Sequence, residues 1–258
     1  VEIHLIRAGT GLAFVGDHVG RFEAGHLVLV GAHVAHNWIS DLGPNQVIEG
    51  RDVVLQVHPE RLRELAAIAP EAGEALRLFA RASRGLQYTG ETAEEAAVSL
   101  ESVGATSGLR RLHHLFALLS ILFAAPEADT RVLASPAVKP ATDVAVQRRV
   151  DDALRYITEN LAAEVRLTDV AELVGMTPSA FSRFFSRAAG RGFVDMVRRL
   201  RVIRACTLLT DSELPVADIC YEVGYANLSN FNRQFRAETG TTPRAYRRAM
   251  RSPGVTSR

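Results

Sequence analysis

Gly175-Met176-Thr177-Pro178-Ser179-Ala180-Phe181-Ser182-Arg183-Phe184-Phe185 is a stretch that this chain of 258 residues uses twice in outline. Phe181, Arg183, Phe185 and Gly190 have counterparts in Phe231, Arg233, Phe235 and Gly240, each 50 residues on, and Gly175 answers to Gly224, 49 residues on. The second copy therefore holds one extra residue in its turn. Short apolar runs, Val170–Val174 and Ile219–Val223, precede the two opening glycines. Self-similarity at such a period marks a duplicated supersecondary unit, and each copy has the parts of a helix-turn-helix. Glycine takes the left-handed conformation that ends a helix. Thr177 is placed to cap the next helix, with Pro178 at its first position, where a missing N–H costs nothing. Asn227 is placed to cap a helix beginning at Leu228. Phe181, Phe184 and Phe185 mark one buried face and Phe231 and Phe235 another, leaving Ser179, Ser182 and Arg183, and Ser229, Asn230, Asn232 and Arg233, for the outside.

Working outward, Val146–Leu161 reads as a helix with Val150, Ala153, Leu154 and Ile157 on one side. Phe193–Leu209 reads as the connecting helix, with Val197, Leu200, Ala205 and Leu208 inward and Arg198, Arg199, Arg201 and Arg204 making it basic. A recognition helix in the major groove offers its first turns to base edges, small polar residues let it approach, and an arginine one turn on reaches guanine or phosphate. Two such helices on one connecting helix are expected to enter successive major grooves about 34 Å apart. Charge agrees: the formal net charge of +1 hides 18 basic and 12 acidic side chains in residues 146–258, every basic one an arginine. Plainer readings stand beside these. Arg183 and Arg233 could be ion-paired to a neighbouring helix, Ser229 and Asn230 could be solvated surface, and the basic run could be a wet helix face.

These residues resemble the DNA-binding domain of the AraC/XylS-type transcription regulators. The match runs through Leu167-Thr168-Asp169-Val170-Ala171, Gly175–Ser179, Phe181–Phe185, Arg201…Arg204-Ala205-Cys206…Leu208-Leu209, Val223-Gly224-Tyr225, Asn227–Phe235 and Gly240…Pro243…Tyr246-Arg247. The resemblance implies base contacts from Ser179, Ser182 and Arg183, and from Leu228, Ser229, Asn230 and Arg233, with Asn232 on the same outer face. Backbone phosphates would be held at helix starts near Thr168 and Thr177.

In the first half, glycines break short strand-like runs from Val1 to Val57, and helical periodicity follows from Glu60, through Leu109–Phe123. Glu2…Gly9 and Gly25…Gly31-Ala32-His33…His36 are similar to the two cupin signatures, and Gly25–Trp38 looks like the sensor half of some AraC-type regulators. The barrel would then be partial, its opening strands lying upstream of Val1. His4, His36 and Trp38 are the expected ligand-binding residues, for a small polar, sugar-like effector; structural histidines are the alternative. Glu2 and His36 could instead ligate a divalent metal in a cupin enzyme, but the expectation is no cofactor, no metal and no catalytic residues.

The expected fold is α+β in two domains. Residues 1–125 form a partial cupin-like β-barrel with a helical dimerisation segment, 126–145 a proline-marked linker, 146–250 an all-α domain with two helix-turn-helix units, and 251–258 a disordered tail. Two cysteines in helical text exclude a disulfide scaffold, and with no leader and no apolar run of spanning length the expectation is a cytoplasmic protein. Expected partners are double-stranded DNA, a small effector and a second copy of the chain, with no membrane. The resembled family more often activates, which admits RNA polymerase as a further partner. Besides the metal-dependent enzyme, the rival reading is a protein-interaction module, for which a steep salt dependence on DNA is not expected.

Overall fold

Leu27-Val28-Leu29-Val30 is buried along its whole length because both faces of its strand are covered. In the computed structural model, which describes residues 1–41, 46–136, 138 and 144–251, this strand is β4 (Leu27–Val30). It pairs antiparallel with β1 (Glu2–Ile6), which pairs in turn with β6 (Asp52–Gln56). On its other side it pairs with β7 (Leu86–Tyr88), which pairs with β8 (Thr130–Val132). The second sheet has the order β3 (His18–Phe22), β2 (Gly11–Val15), β5 (His36–Ser40), again antiparallel.

Period-two alternation sorts the side chains of the larger sheet into two cores. Ile6, Val28 and Val30 cluster with Ala13, Val15, Phe22 and Trp38 of the smaller sheet. Ile3, Leu5, Leu27, Leu29, Leu86 and Tyr88 point the other way, into helices α1 (Pro59–Ala66), α2 (Gly73–Arg81), α3 (Gly90–Ala105) and α4 (Gly108–Ala124). One face of α4 enters that core through Leu118, Leu119 and Leu122, while Leu109 (84% exposed), Leu112 and Phe116 form an uncovered apolar stripe.

Two short strands depart from the helical periodicity past Glu60 and from the expected linker. Between Gly85 and Gly90 the chain forms β7, and the expected linker contains a 3₁₀ turn at Glu127–Asp129 followed by β8. Asp129 explains the order there. Its carboxylate accepts from the Thr92 hydroxyl (2.8 Å) and backbone N–H (3.3 Å), satisfying the start of α3. The chain divides into two units, residues 1–148 with 187–190 and residues 149–186 with 191–258. The expected tail lies outside the described residues except for Arg251, and most of 137–143 does too.

The second unit is built from helices α5 (Val144–Glu159, from residue 149), α6 (Leu167–Leu173), α7 (Pro178–Ala188, to residue 186), α8 (Phe193–Asp211), α9 (Val216–Glu222), α10 (Leu228–Thr239) and α11 (Pro243–Arg251). Helix α8 serves two cores. Its Phe193 ring meets Phe181 and Phe185 of α7 at 5.8 and 6.0 Å. Its Val202, Ala205 and Leu209 pack with Ile219, Cys220, Tyr225, Phe231 and Phe235. Phe184 is only half-buried, so the face of α7 is narrower than i, i+3, i+4 implied. Both cysteines are free thiols, and among the described residues no helix is long and apolar enough to cross a membrane.

Candidate functional site

Both turns close in the same way. Gly175 (φ 68°) and Gly224 (φ 86°) are left-handed. Met176 N–H donates to Ala171 O and Gly175 N–H to Glu172 O, and Tyr225 N–H to Cys220 O and Gly224 N–H to Tyr221 O. This pair of bonds is a Schellman motif, which satisfies carbonyls a helix end leaves open. The following helices start alike: Ala180 N–H donates to Thr177 Oγ1 (3.3 Å), and Asn230 N–H to Asn227 Oδ1 (2.9 Å).

Beyond those caps the outward residues stand where the sequence places them. Thr177, Ser179, Ser182, Arg183, Leu228, Ser229, Asn232 and Arg233 are exposed, and Phe181, Phe185, Phe231 and Phe235 are fully buried. Among the described residues neither Arg183 nor Arg233 is in an ion pair. Arg233 Nη2 instead donates to Asn230 Oδ1 at 2.9 Å on its own helix, and Gln234 Nε2 donates to the same oxygen at 3.2 Å. Asn230 is therefore half-buried and engaged in holding its neighbours, which qualifies its reading as a base contact. Thr168 also differs. Helix α6 starts at Leu167 without a side-chain cap, and the Thr168 hydroxyl donates to Asp169 Oδ1 at 3.0 Å. That carboxylate in the first turn disfavours a phosphate there.

The basic run of α8 is mostly spent internally. Arg198 and Arg199 meet Glu238 of α10 at 3.4 and 3.7 Å, and Arg201 donates to backbone carbonyls, leaving Arg204 exposed. Spacing alone made these four arginines equivalent; their partners on other elements separate them.

The strand unit has a polar interior on the inter-sheet face. His4, His36 and Trp38 do come together there, with ring centroids 3.8 Å (His4–Trp38) and 5.5 Å (His36–Trp38) apart. His36 is committed to the fold: Nδ1 meets Val34 O at 2.7 Å and Nε2 meets Glu2 Oε2 at 3.0 Å. His4 Nε2 meets Asp52 Oδ2 at 2.9 Å. In this unit the buried side-chain atoms without a hydrogen-bond partner among the described residues are His4 Nδ1, Trp38 Nε1 and His26 Nε2. His26, Asp52 and Gln87, whose amide lies 3.5 Å from His26 Nδ1, complete a cluster the sequence reading assigned only in part. Period two could have found His26, because it stands one register step from Leu27 on the face that carries Val28. His33 has φ 65°, the one non-glycine residue in the left-handed region among the described residues.

Burial holds the His26 pKa down at about 4 and lowers that of His4, against the pull of Asp52. The hydrogen bond from His36 lowers Glu2. Burial works to raise Asp52, but its bonds from Arg51 and His4 outweigh that and hold it low. All four folded values lie below their unfolded ones, so each group's stability is complete above its unfolded value and is lost as pH falls. For His26 the window runs from about 6.5 down to about 4. Thermal melts of the strand unit's tryptophan signal are expected to shift down through that window, and His26→Gln to flatten the shift. A slope unaltered by His26→Gln would remove His26 as its source.

Glu2 and His36, the pair a metal site would use, are bonded to each other, and among the described residues no group of three His, Cys, Asp or Glu is placed to hold a metal. Residues 170–249 match the helix-turn-helix domain family. Over 102 residues the chain is 38% identical to the regulatory protein PocR of Salmonella typhimurium, covering 40% of this chain and 34% of that protein. Over 95 residues it is 39% identical to the transcriptional activator RhrA of Rhizobium meliloti, covering 36% of this chain and 30% of that protein. The C-terminal part is therefore a helix-turn-helix region. The chain spans about a third of the length of those two relatives. Among solved structures, the C-terminal domain of AraT, a response regulator from Geobacillus stearothermophilus, is 27% identical and covers 45% of this chain and 93% of that one, with a TM-score of 0.38.

Proposed function

We propose that the chain is a sequence-specific, DNA-binding transcription regulator whose helices α7 and α10 enter successive major grooves of one duplex. The observation that carries this reading is the pair of exposed, identically capped first turns at Thr177–Ser179 and Asn227–Ser229, each mounted on a buried phenylalanine face. Ser179, Ser182 and Arg183 on one helix and Leu228, Ser229, Asn232 and Arg233 on the other form the reading surface, with Asn230 orienting Arg233. The strand unit, read as a cupin-like fold, takes a small polar, sugar-like effector at the unpartnered nitrogens of His4, His26 and Trp38. The apolar stripe of Leu109, Leu112 and Phe116 supplies the contact between two copies. An effector that binds one arrangement of those copies better than another shifts their hold on DNA. Activation, and contact with RNA polymerase, rest on family analogy alone.

Selection of duplexes by the full chain from a random pool tests the reading, with retention followed against salt. The expected result is an enriched site whose affinity falls steeply with salt as phosphate counterions are released. Recovery of no common sequence, or a flat salt response, overturns it in favour of a protein-binding module. Arg233→Ala is expected to cost about 1–3 kcal/mol on the enriched site, roughly five- to a hundredfold in affinity, and much less on random DNA. Equal losses on both would reduce Arg233 to a phosphate contact.

A further inference from the structure

Leu161 and Ala163 lie in the segment that leads from α5 into α6, the entry to the first helix-turn-helix pair. Arg201, in the middle of α8, reaches back to it: Nε donates to Leu161 O at 3.1 Å and Nη2 to Ala163 O at 2.8 Å. The same guanidinium stands over the ring of Tyr225, 5.7 Å from its centroid. Tyr225 closes the second turn and packs on Phe231 at 5.3 Å. A third contact joins these parts, because a Cβ at position 224 would come within 2.3 Å of Leu161 O and 2.9 Å of Arg201 Nη2. One planar cation therefore touches the entry to the first pair and the turn of the second. Its partners are carbonyl dipoles and a π face, which suit guanidinium better than ammonium. Arg247 of α11 makes a comparable fork onto Leu209 O (3.1 Å) and Leu214 O (2.6 Å), but both carbonyls belong to the approach to the second pair itself. Of the two arginines, Arg201 spans the seam.

We propose that Arg201 is a positioning residue for DNA recognition: it locks the turn of the second helix-turn-helix pair against the entry to the first, so that α7 and α10 meet one duplex at a fixed separation. The inference rests on the DNA-binding reading above. Two contacts joined rigidly make the second binding event intramolecular, and the gain over either alone disappears when the geometry loosens. Arg201 thus contributes to the joint engagement of both grooves and touches neither.

The test uses the full chain, a duplex enriched from a random pool by the unaltered protein, and two derivatives with one or the other half of the site scrambled. The unaltered chain is expected to prefer the intact duplex by about a hundredfold. Arg201→Gln should lose about tenfold or more on the intact duplex and less than about twofold on either derivative, with the salt dependence unchanged. Tyr225→Leu, which keeps both carbonyl bonds and removes the ring, should show the same pattern more weakly. Equal losses on all three duplexes, an undiminished preference for the intact one, or a salt slope lower by about 0.9, the mark of a lost phosphate contact, would overturn the proposal. If melting shows that Arg201→Gln does not fold, the pattern of Tyr225→Leu decides. If the unaltered chain enriches no site, the DNA-binding reading falls and takes this inference with it; intact binding with no change on substitution defeats the inference alone.

Discussion

Gly224→Ala should destabilise the second unit by about 3 kcal/mol or more, whereas Gly175→Ala, at the matching point of the first copy, should cost about 1–2 kcal/mol. Both residues are left-handed, and a Cβ in that conformation crowds the following carbonyl at either position. The surroundings then differ. Nothing lies within 4 Å of a Cβ built at Gly175, while at Gly224 the backbone oxygen of Leu161 stands 2.3 Å away. A backbone atom pinned by Arg201 cannot retreat as a flexible side chain would, so overpacking adds about 1–3 kcal/mol to the conformational cost. Urea unfolding of the two variants measures the gap. Equal midpoints would mean that the Leu161 segment yields freely and that the two pairs are not braced against each other.

Phe231→Ala should cost about 3–5 kcal/mol, the range for deleting a buried ring and leaving a cavity. Phe231 is fully buried, with Tyr225 and Phe235 at centroid distances of 5.3 and 5.7 Å. Deleting it removes the floor beneath the exposed turn that carries Leu228 and Ser229. Its neighbour Asn232 lies on the outer face, and Asn232→Ala should stay within about 0.5 kcal/mol while altering DNA affinity. Calorimetry of the two variants separates the faces of α10. A small effect from Phe231→Ala together with a large one from Asn232→Ala would invert the face assignment on which the recognition surface depends.

Much of the helix-turn-helix region could be read from the text because its signals are local. Glycine in a C-cap, a polar cap three residues before its acceptor's partner and phenylalanines one turn apart each act within a few residues, and repetition at a 50-residue offset makes chance agreement improbable. The connecting helix was legible for the same reason, though the separate duties of Arg198, Arg199, Arg201 and Arg204 were not. Those depend on Glu238, Leu161 and Ala163, which are 38–40 residues away in sequence.

Strands β7 and β8 escaped for a related reason. Three residues give no period to detect, and Leu86-Gln87-Tyr88 is strand only because Leu27–Leu29 offers it an edge. Thr130–Val132 follows in turn, in a stretch where prolines suggested a linker. In the strand unit His4, His36 and Trp38 could be picked out by residue type. Which of them keeps an open nitrogen depends on Glu2, Val34 and Asp52, and only the fold brings those into place.

Hydroxyl-radical footprinting of the full chain on its selected duplex tests the central claim most directly. Two protected patches are expected on one face of the duplex, about 34 Å apart, with Ser229→Ala or Arg233→Ala weakening one and Arg183→Ala weakening the other. A single protected patch that all three substitutions weaken alike would contradict it.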